Sequence, residues 1–217
     1  MIALGIVTFR RPDYFAQTLR AVEEHLASVV DEVQVATDVY PVATAKNRLL
    51  SDMLDAGADW LFLLEDDITP LSPMAVTGYI EACERSGWEH LCFHAHGPAN
   101  PEPNGVDPSG AVTYWPNSVG AYCVYSRRAL EVGGLMDEDF HNAFEHVEHY
   151  LRLADHGFCP NWPHNADATG SENWLAEIPG SIDNSSIVAR DDWQPNMQAA
   201  LAHFEAAHPS RYQRIWG

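Results

Sequence analysis

The first two thirds of the chain alternate short apolar runs with amphipathic stretches, and few folds accept that order. Ile2 to Thr8 is a buried-strand run, and Pro12 then suits the first turn of a helix carrying Phe15, Leu19, Val22 and Leu26 at helical spacing. Glu32 to Thr37 reads as a second strand and Ala43 to Leu54 as a second helix. Trp60 to Leu64 is a third strand, Pro73 opens a third helix to Ser86, and Leu91 to Ala95 is a fourth strand. Such alternation predicts an α/β fold: an open, mostly parallel sheet with helices on both faces.

Beyond this region the pattern loosens. Gly97 to Gly110 is rich in Pro, Asn and Gly and reads as a loop. Val119 to Ser126 resumes as a strand, followed by a short helix over Arg127 to Val132 and a longer one over Glu145 to His156. Asn161 to Gln194 has little periodicity, and Asn196 to Ala207 reads as a terminal helix. The simplest organisation is one domain over 1–217 with an irregular C-terminal region.

In open parallel sheets, ligands bind beyond the carboxyl ends of the strands. Glu65, Asp66 and Asp67 stand at that end of the third strand, directly after five apolar residues. Three adjacent carboxylates repel one another unless a cation is present, and hard divalent ions prefer carboxylates together with substrate phosphates. A solvated turn is the bland alternative. The wider composition is acidic, with 12 Lys and Arg against 31 Asp and Glu and a formal charge of −19. That balance disfavours extended contact with nucleic acid or anionic membranes.

The four cysteines, Cys83, Cys92, Cys123 and Cys159, form no Cys-x-x-Cys pair and read as buried, reduced thiols. No apolar run approaches the roughly 20 residues that span a bilayer, and the first residues lack the pattern of a signal peptide. The expectation is a cytoplasmic protein without membrane insertion. Neither a Gly-x-Gly-x-x-Gly fingerprint nor a Walker-type loop occurs, which disfavours nicotinamide and P-loop chemistry.

Gly5 to Pro12, Ala45 to Asn47, the stretch from Ala56 through Asp67, Gly133 to Phe140, and Glu145-His146 followed by Arg152 and Gly157 together resemble the inverting family 2 glycosyltransferases of GT-A fold. The resemblance spans roughly residues 2 to 158, and its specificity lies in the order and spacing of short motifs. It implies a nucleotide-sugar-binding half over 1–96 and an acceptor-side half over 97–217. Glu65, Asp66 and Asp67 match the DXD-type motif that bridges the nucleotide diphosphate through Mn²⁺ or Mg²⁺, and Asp38 matches the acid that contacts the base. Thr8, Arg10 and Lys46 are expected to line the nucleotide pocket with Asp38, Glu65 and Asp66, and Arg11 is read as a surface charge. Asp67 and Asp66 would hold the metal, with His164 (or nearby Asp167) in the place of the family's late histidine.

The chain departs from the pattern at His146, where the family places its catalytic Asp. A histidine in the first turn of a helix sits at the positive end of the dipole, which disfavours imidazolium and leaves a neutral ring able to take a proton. His146 is therefore the expected base, with Glu145 as the alternative or as a holder of the acceptor hydroxyl. The expected reaction moves a sugar, with inversion, from a nucleotide diphosphate-sugar to an acceptor hydroxyl. A UDP-sugar is the first expectation for the donor; a glycan, a protein, a small molecule or a hydroxylated base in nucleic acid stay open as acceptor.

Two rival readings remain. The replacement of Asp by His at 146 suits a non-catalytic nucleotide-sugar or carbohydrate-binding module. His94 and His96, on alternate positions of a strand, suit a metallohydrolase with nearby acids. Glu145 to His149 fails the His-Glu-x-x-His zinc pattern because its two histidines are three apart. Trp88, Tyr114, Trp115, Trp162 and Trp174 are the aromatic candidates for stacking on an acceptor.

Overall fold

The computed structural model describes residues 1–95, 100–141, 143–181 and 183–216. Its centre is a five-stranded sheet in the order β2-β1-β3-β8-β5. These strands are β1 (Ile2–Thr8), β2 (Glu32–Thr37), β3 (Trp60–Glu65), β5 (His90–Cys92) and β8 (Tyr122–Ser126). β1 lies parallel to both neighbours, while β8 runs antiparallel to β3 and β5. The sheet is thus open and mostly parallel, as the alternation requires.

Helices α1 (Pro12–His25), α2 (Val42–Asp55), α3 (Met74–Ser86), α4 (Arg127–Gly133) and α5 (Glu145–Asp155) flank it. The pleat sorts the core into two layers. Ala3, Val7, Leu61, Leu63 and Tyr125 pack with α2 and α5, whereas Leu4, Ile6, Phe62, Leu64 and Val124 pack with α1 and α3. Strands buried on both faces read as continuous apolar runs, which is why β1 and β3 are legible. Gly5 lets α2 approach closely, because a Cβ there would stand 3.0 Å from Leu49 Cβ.

Outside the central sheet the chain contains more structure than its composition suggests. β4 (Ile68–Pro70) pairs with β10 (Leu175–Glu177), and β6 (Gly105–Val106), β7 (Val112–Trp115) and β9 (Asn165–Ala168) form a small sheet. Helix α6 (Trp193–Ala207) begins three residues before the expected Asn196, and α7 (Pro209–Trp216) follows it. Both join α5 in one apolar cluster, made by Leu151 of α5, Phe140 from the preceding loop, Ala200 and Phe204 of α6, and Tyr212 and Ile215 of α7. His203 Nε2 and Asp137 Oδ2 are 2.9 Å apart and tie α6 to the loop before α5. No helix among the described residues is long and apolar enough to cross a membrane.

Two sequence expectations fail here. The strand expected over Leu91 to Ala95 ends at Cys92, so the alternation that was to align His94 with His96 does not apply, and His96 lies outside the described residues. His94 is buried, with the Val119 N–H donating to its Nδ1 at 3.0 Å. Asp167, the other candidate near the late-histidine position, is wholly buried on β9. It accepts from the backbone N–H groups of His94 and Ala95 and from the hydroxyls of Tyr79 and Ser171. Its four donors bind α3, the segment after β5 and the turn after β9 into one unit. Asp167→Ala strands all four and is expected to lower the unfolding free energy by about 3 kcal/mol or more, read from urea denaturation.

Candidate functional site

The parallel strands β1, β2 and β3 end together, and antiparallel β8 begins at that same edge. The Glu65 N–H donates to the Ala121 carbonyl at 2.8 Å, so the segment leading into β8 lies directly against the end of β3. A cavity of about 630 Å³ opens there, and its lining includes Phe9, Arg11, Glu65, Asp66 and Asp67 together with Glu145 and His146. Among the described residues, three non-glycines hold a left-handed backbone: Arg10 (φ 56°), Asp38 (φ 56°) and Phe144 (φ 67°). All three adjoin or line this cavity, where strain of this kind commonly collects.

The local turn decides which arginine enters. Arg10 in its left-handed conformation donates its N–H to Asp38 Oδ1 at 2.7 Å and lies exposed over the Phe9 ring, 5.1 Å from its centroid. Arg11 turns inward, with only 10% of its side chain exposed. Its Nη1 stands 3.0 Å from Asp66 Oδ1 and 3.6 Å from Asp67 Oδ2. The sequence reading had these roles reversed. Asp38 is exposed and bonded to the Arg10 backbone, and it does not line the cavity.

Thr8 and Lys46 also act behind the lining. Thr8 donates its hydroxyl to Asp66 Oδ2 at 2.7 Å in a buried contact. Lys46 is fully buried, with Nζ 2.6 Å from Glu65 Oε1, 3.1 Å from Glu145 Oε1 and 3.3 Å from the Gly120 carbonyl. An ammonium held that way has no face left for a phosphate. Burial opposes its charge, yet Glu65 and Glu145 raise its pKa above the ordinary lysine value. Burial likewise pushes the Glu145 carboxyl upward, but Lys46 and His146 outweigh it and hold the group well below its usual range.

Of the two expected bases, Glu145 is thus an ionised, enclosed carboxylate at the start of α5, and His146 is the more accessible, with 25% of its side chain exposed. His146 Nδ1 stands 3.4 Å from Glu145 Oε1. A proton on Nδ1 directed at Glu145 leaves the lone pair on Nε2. Gly120 supplies the room for the ring, since a Cβ there would lie 2.7 Å from His146 Cγ.

Four carboxylates (Glu65, Asp66, Asp67 and Glu145) share this end of the sheet with two cations, Lys46 and Arg11, leaving two negative charges when all are ionised. Asp67 Oδ1 is buried and has no hydrogen-bond partner among the described residues. An orphaned carboxylate oxygen beside Asp66, with two uncompensated charges, fits a hard divalent cation. Burial first, and then Glu65, raise the Asp67 carboxyl to about pKa 7. His164 does not join this group. It is exposed before β9, with its ring 5.1 Å from that of Tyr114 and its Nδ1 3.4 Å from Asn104 Oδ1, and it lies outside the cavity lining.

Among the aromatic candidates only Trp162 lines the cavity; Trp88, Tyr114 and Trp174 pack against the core. Trp193 and Met197 of α6 and Ile215 of α7 line it without having been singled out from sequence. The signal was present: Trp193, Met197, Ala200 and Phe204 follow helical spacing.

No protein-family model matches the sequence, and no curated protein matches it. Structural similarity is clear. The catalytic domain of Drosophila β1,4-galactosyltransferase 7, in complex with xylobiose, aligns with TM-score 0.57 at 19% identity over 85% of this chain and 73% of that one. S. aureus TarS 1–349 aligns with TM-score 0.54 at 8% identity, over 94% and 72% of the two chains. Glucosyl-3-phosphoglycerate synthase from Mycobacterium tuberculosis, in complex with Mn²⁺, uridine diphosphate and phosphoglyceric acid, aligns with TM-score 0.51 at 12% identity, over 73% and 65%. The chain has the GT-A fold that these proteins share.

Because folding raises the Asp67 pKa, the folded state keeps between about pH 4 and 7 a proton that the unfolded chain releases. That stability is lost as pH rises through this window, and a cation bound in place of the proton restores it. Mn²⁺ is therefore expected to bind about tenfold more tightly at pH 8 than at pH 6, and to raise Tm more at the higher pH. Calorimetric titration with a thermal scan at each pH checks both.

Proposed function

We propose that the chain is a metal-dependent glycosyltransferase moving a sugar, with inversion, from a nucleoside diphosphate-sugar to an acceptor hydroxyl. The observation that carries this reading is the orphaned Asp67 oxygen beside Asp66, in one cavity with His146 at the strand ends of a GT-A sheet. Two solved proteins of the same fold are complexes with Mn²⁺ and a uridine nucleotide, which makes a UDP-sugar the first donor to test.

Asp67, with Asp66, would hold Mn²⁺ or Mg²⁺, which when bound supplies Lewis-acid stabilisation of the departing diphosphate. Glu65 would bind on the nucleotide-sugar side while engaging Lys46. Arg11 lies within reach of the same phosphates and would meet them as a planar donor. Asp38, exposed just after β2 and bonded to the Arg10 N–H, would hold the turn between Phe9 and Arg11 rather than touch the donor. Thr8 and Lys46 would orient Asp66 and Glu145 rather than touch the donor.

At the reacting centre, His146 Nε2 takes the proton from the acceptor hydroxyl as its oxygen bonds to the anomeric carbon. The bond from that carbon to the diphosphate oxygen breaks, and the nucleoside diphosphate leaves with the electron pair. Glu145 holds the ring by Nδ1 and stabilises the imidazolium that forms, and Lys46 keeps Glu145 ionised.

Release of nucleoside diphosphate from a panel of nucleotide-sugars, with and without Mn²⁺, tests the reading. Asp67→Asn is expected to abolish turnover with an unchanged circular dichroism spectrum. His146→Ala is expected to cut kcat by about 10²-fold while donor affinity stays within about threefold, and His146→Asp to recover part of the loss. Full activity in excess chelator overturns the metal assignment. Wild-type turnover in His146→Ala with an inactive Glu145→Gln moves the base to Glu145. Donor binding without any release by the wild-type protein favours the binding module.

A further inference from the structure

Beyond His146 the cavity changes character. Phe144 and Val147 from the start of α5, Trp162 from the loop before β9, Trp193 and Met197 from α6 and Ile215 from α7 form its far wall. All six belong to the hydrophobic cluster centred on Phe140, Leu151 and Phe204, yet each is only half-buried. Each also lines the cavity, so an apolar group placed there would extend the cluster.

The polar groups on this wall are already engaged. Tyr150 donates its hydroxyl to the His164 carbonyl at 3.0 Å and accepts from the Ala166 N–H at 2.9 Å. Asn165 donates its side-chain amide to the Trp115 carbonyl at 3.0 Å. Among the described residues of α5, α6, α7 and the 161–165 segment, Glu145 and His146 at the first turn of α5 are the only charged or titratable side chains other than Tyr150 that line the cavity, and Glu145 is already held by Lys46. A sugar chain lying here would bury hydroxyls against Val147, Met197 and Ile215 without partners, which is unfavourable. An aryl or short alkyl group would instead remove apolar surface from water on both sides. Near the boundary with the polar half, Ser118 Oγ lines the cavity, buried and without a hydrogen-bond partner among the described residues. It offers a handle for a hydroxyl at the edge of the apolar compartment.

We propose that the acceptor is a compact amphipathic alcohol whose reacting hydroxyl is carried beside an aryl or short alkyl group, that group filling the compartment between α5, α6 and α7. The assignment rests on the glycosyltransferase reading for which hydroxyl reacts, but the apolar subsite itself is independent of it. A compact group suits the space, because the same 630 Å³ must also take the donor's sugar and diphosphate.

Calorimetric titration of the wild-type protein, in buffer containing UDP and MnCl₂, compares 4-nitrophenyl β-D-glucoside with methyl β-D-glucoside and xylobiose. The aryl glucoside is expected to bind at least about tenfold more tightly than either. Met197→Glu is expected to erase that preference while the Kd for UDP with Mn²⁺ changes by less than about threefold. Val147→Thr, a near-isosteric change, is expected to reduce it and serves where Met197→Glu fails to fold by circular dichroism. Equal affinities for the aryl and methyl glucosides, tighter binding of xylobiose, or a preference untouched by the folded variants overturns the proposal. If UDP and Mn²⁺ do not bind but the aryl preference holds, the glycosyltransferase reading falls and the apolar subsite stands. If UDP and Mn²⁺ bind and the preference is absent, the subsite alone falls.

Discussion

One buried ammonium organises the functional end of this molecule. Lys46 reaches from α2 across the end of the sheet to Glu65 on β3 and Glu145 on α5, and it touches the Gly120 carbonyl on the way into β8. Four elements that are remote in sequence meet at one nitrogen. Burying a charge is costly unless it is paired and its donors are used, and all three close contacts here are acceptors. The arrangement is worth more as a constraint than as a source of stability. It fixes the spacing between the acid triplet and the first turn of α5, and with it the mouth of the cavity.

The helix start at Glu145 depends on the same constraint. Phe144 enters the helix from a left-handed backbone with no side-chain cap, an arrangement that would fray if unsupported. The Glu145 carboxylate gains from the positive end of the helix dipole, and Lys46 anchors it from below. His146 is then placed by its neighbours on both sides: Glu145 at Nδ1 and Gly120 under the ring. A bulkier residue at 120 would press on the imidazole directly, whereas a neutral one at 46 would disturb it through Glu145 without touching it.

The alternating core was legible in sequence because β1 and β3 are apolar on both faces and α1 and α2 are not. The acid triplet was legible because strand ends are where parallel sheets expose polar groups. Side-chain direction was not. Whether Arg10 or Arg11 enters the cavity is decided by a backbone dihedral at Arg10 and a bond to Asp38, which lies on another strand. The fate of Lys46 was equally hidden, because its partners lie 19 and 99 residues away along the chain. The far wall is half legible: Trp193, Met197, Ala200 and Phe204 keep helical spacing, but the apolar residues of α6 and α7 take on meaning only once α5 is beneath them.

The stretch after β10 lies across the entrance and is tied down at points far back in the chain. The Ile178 N–H donates to the Asp67 carbonyl, Arg11 and Tyr14 donate to the carbonyls of Ser181 and Gly180, and Ser186 donates to the Phe9 carbonyl. Closures of this span are slow, because ordering a long loop precedes any reward from its contacts. Loosening of this one stretch would therefore free the backbone beside Asp67 and the side chain of Arg11 together, so that the acid triplet and its cation answer to a segment more than a hundred residues further along the chain.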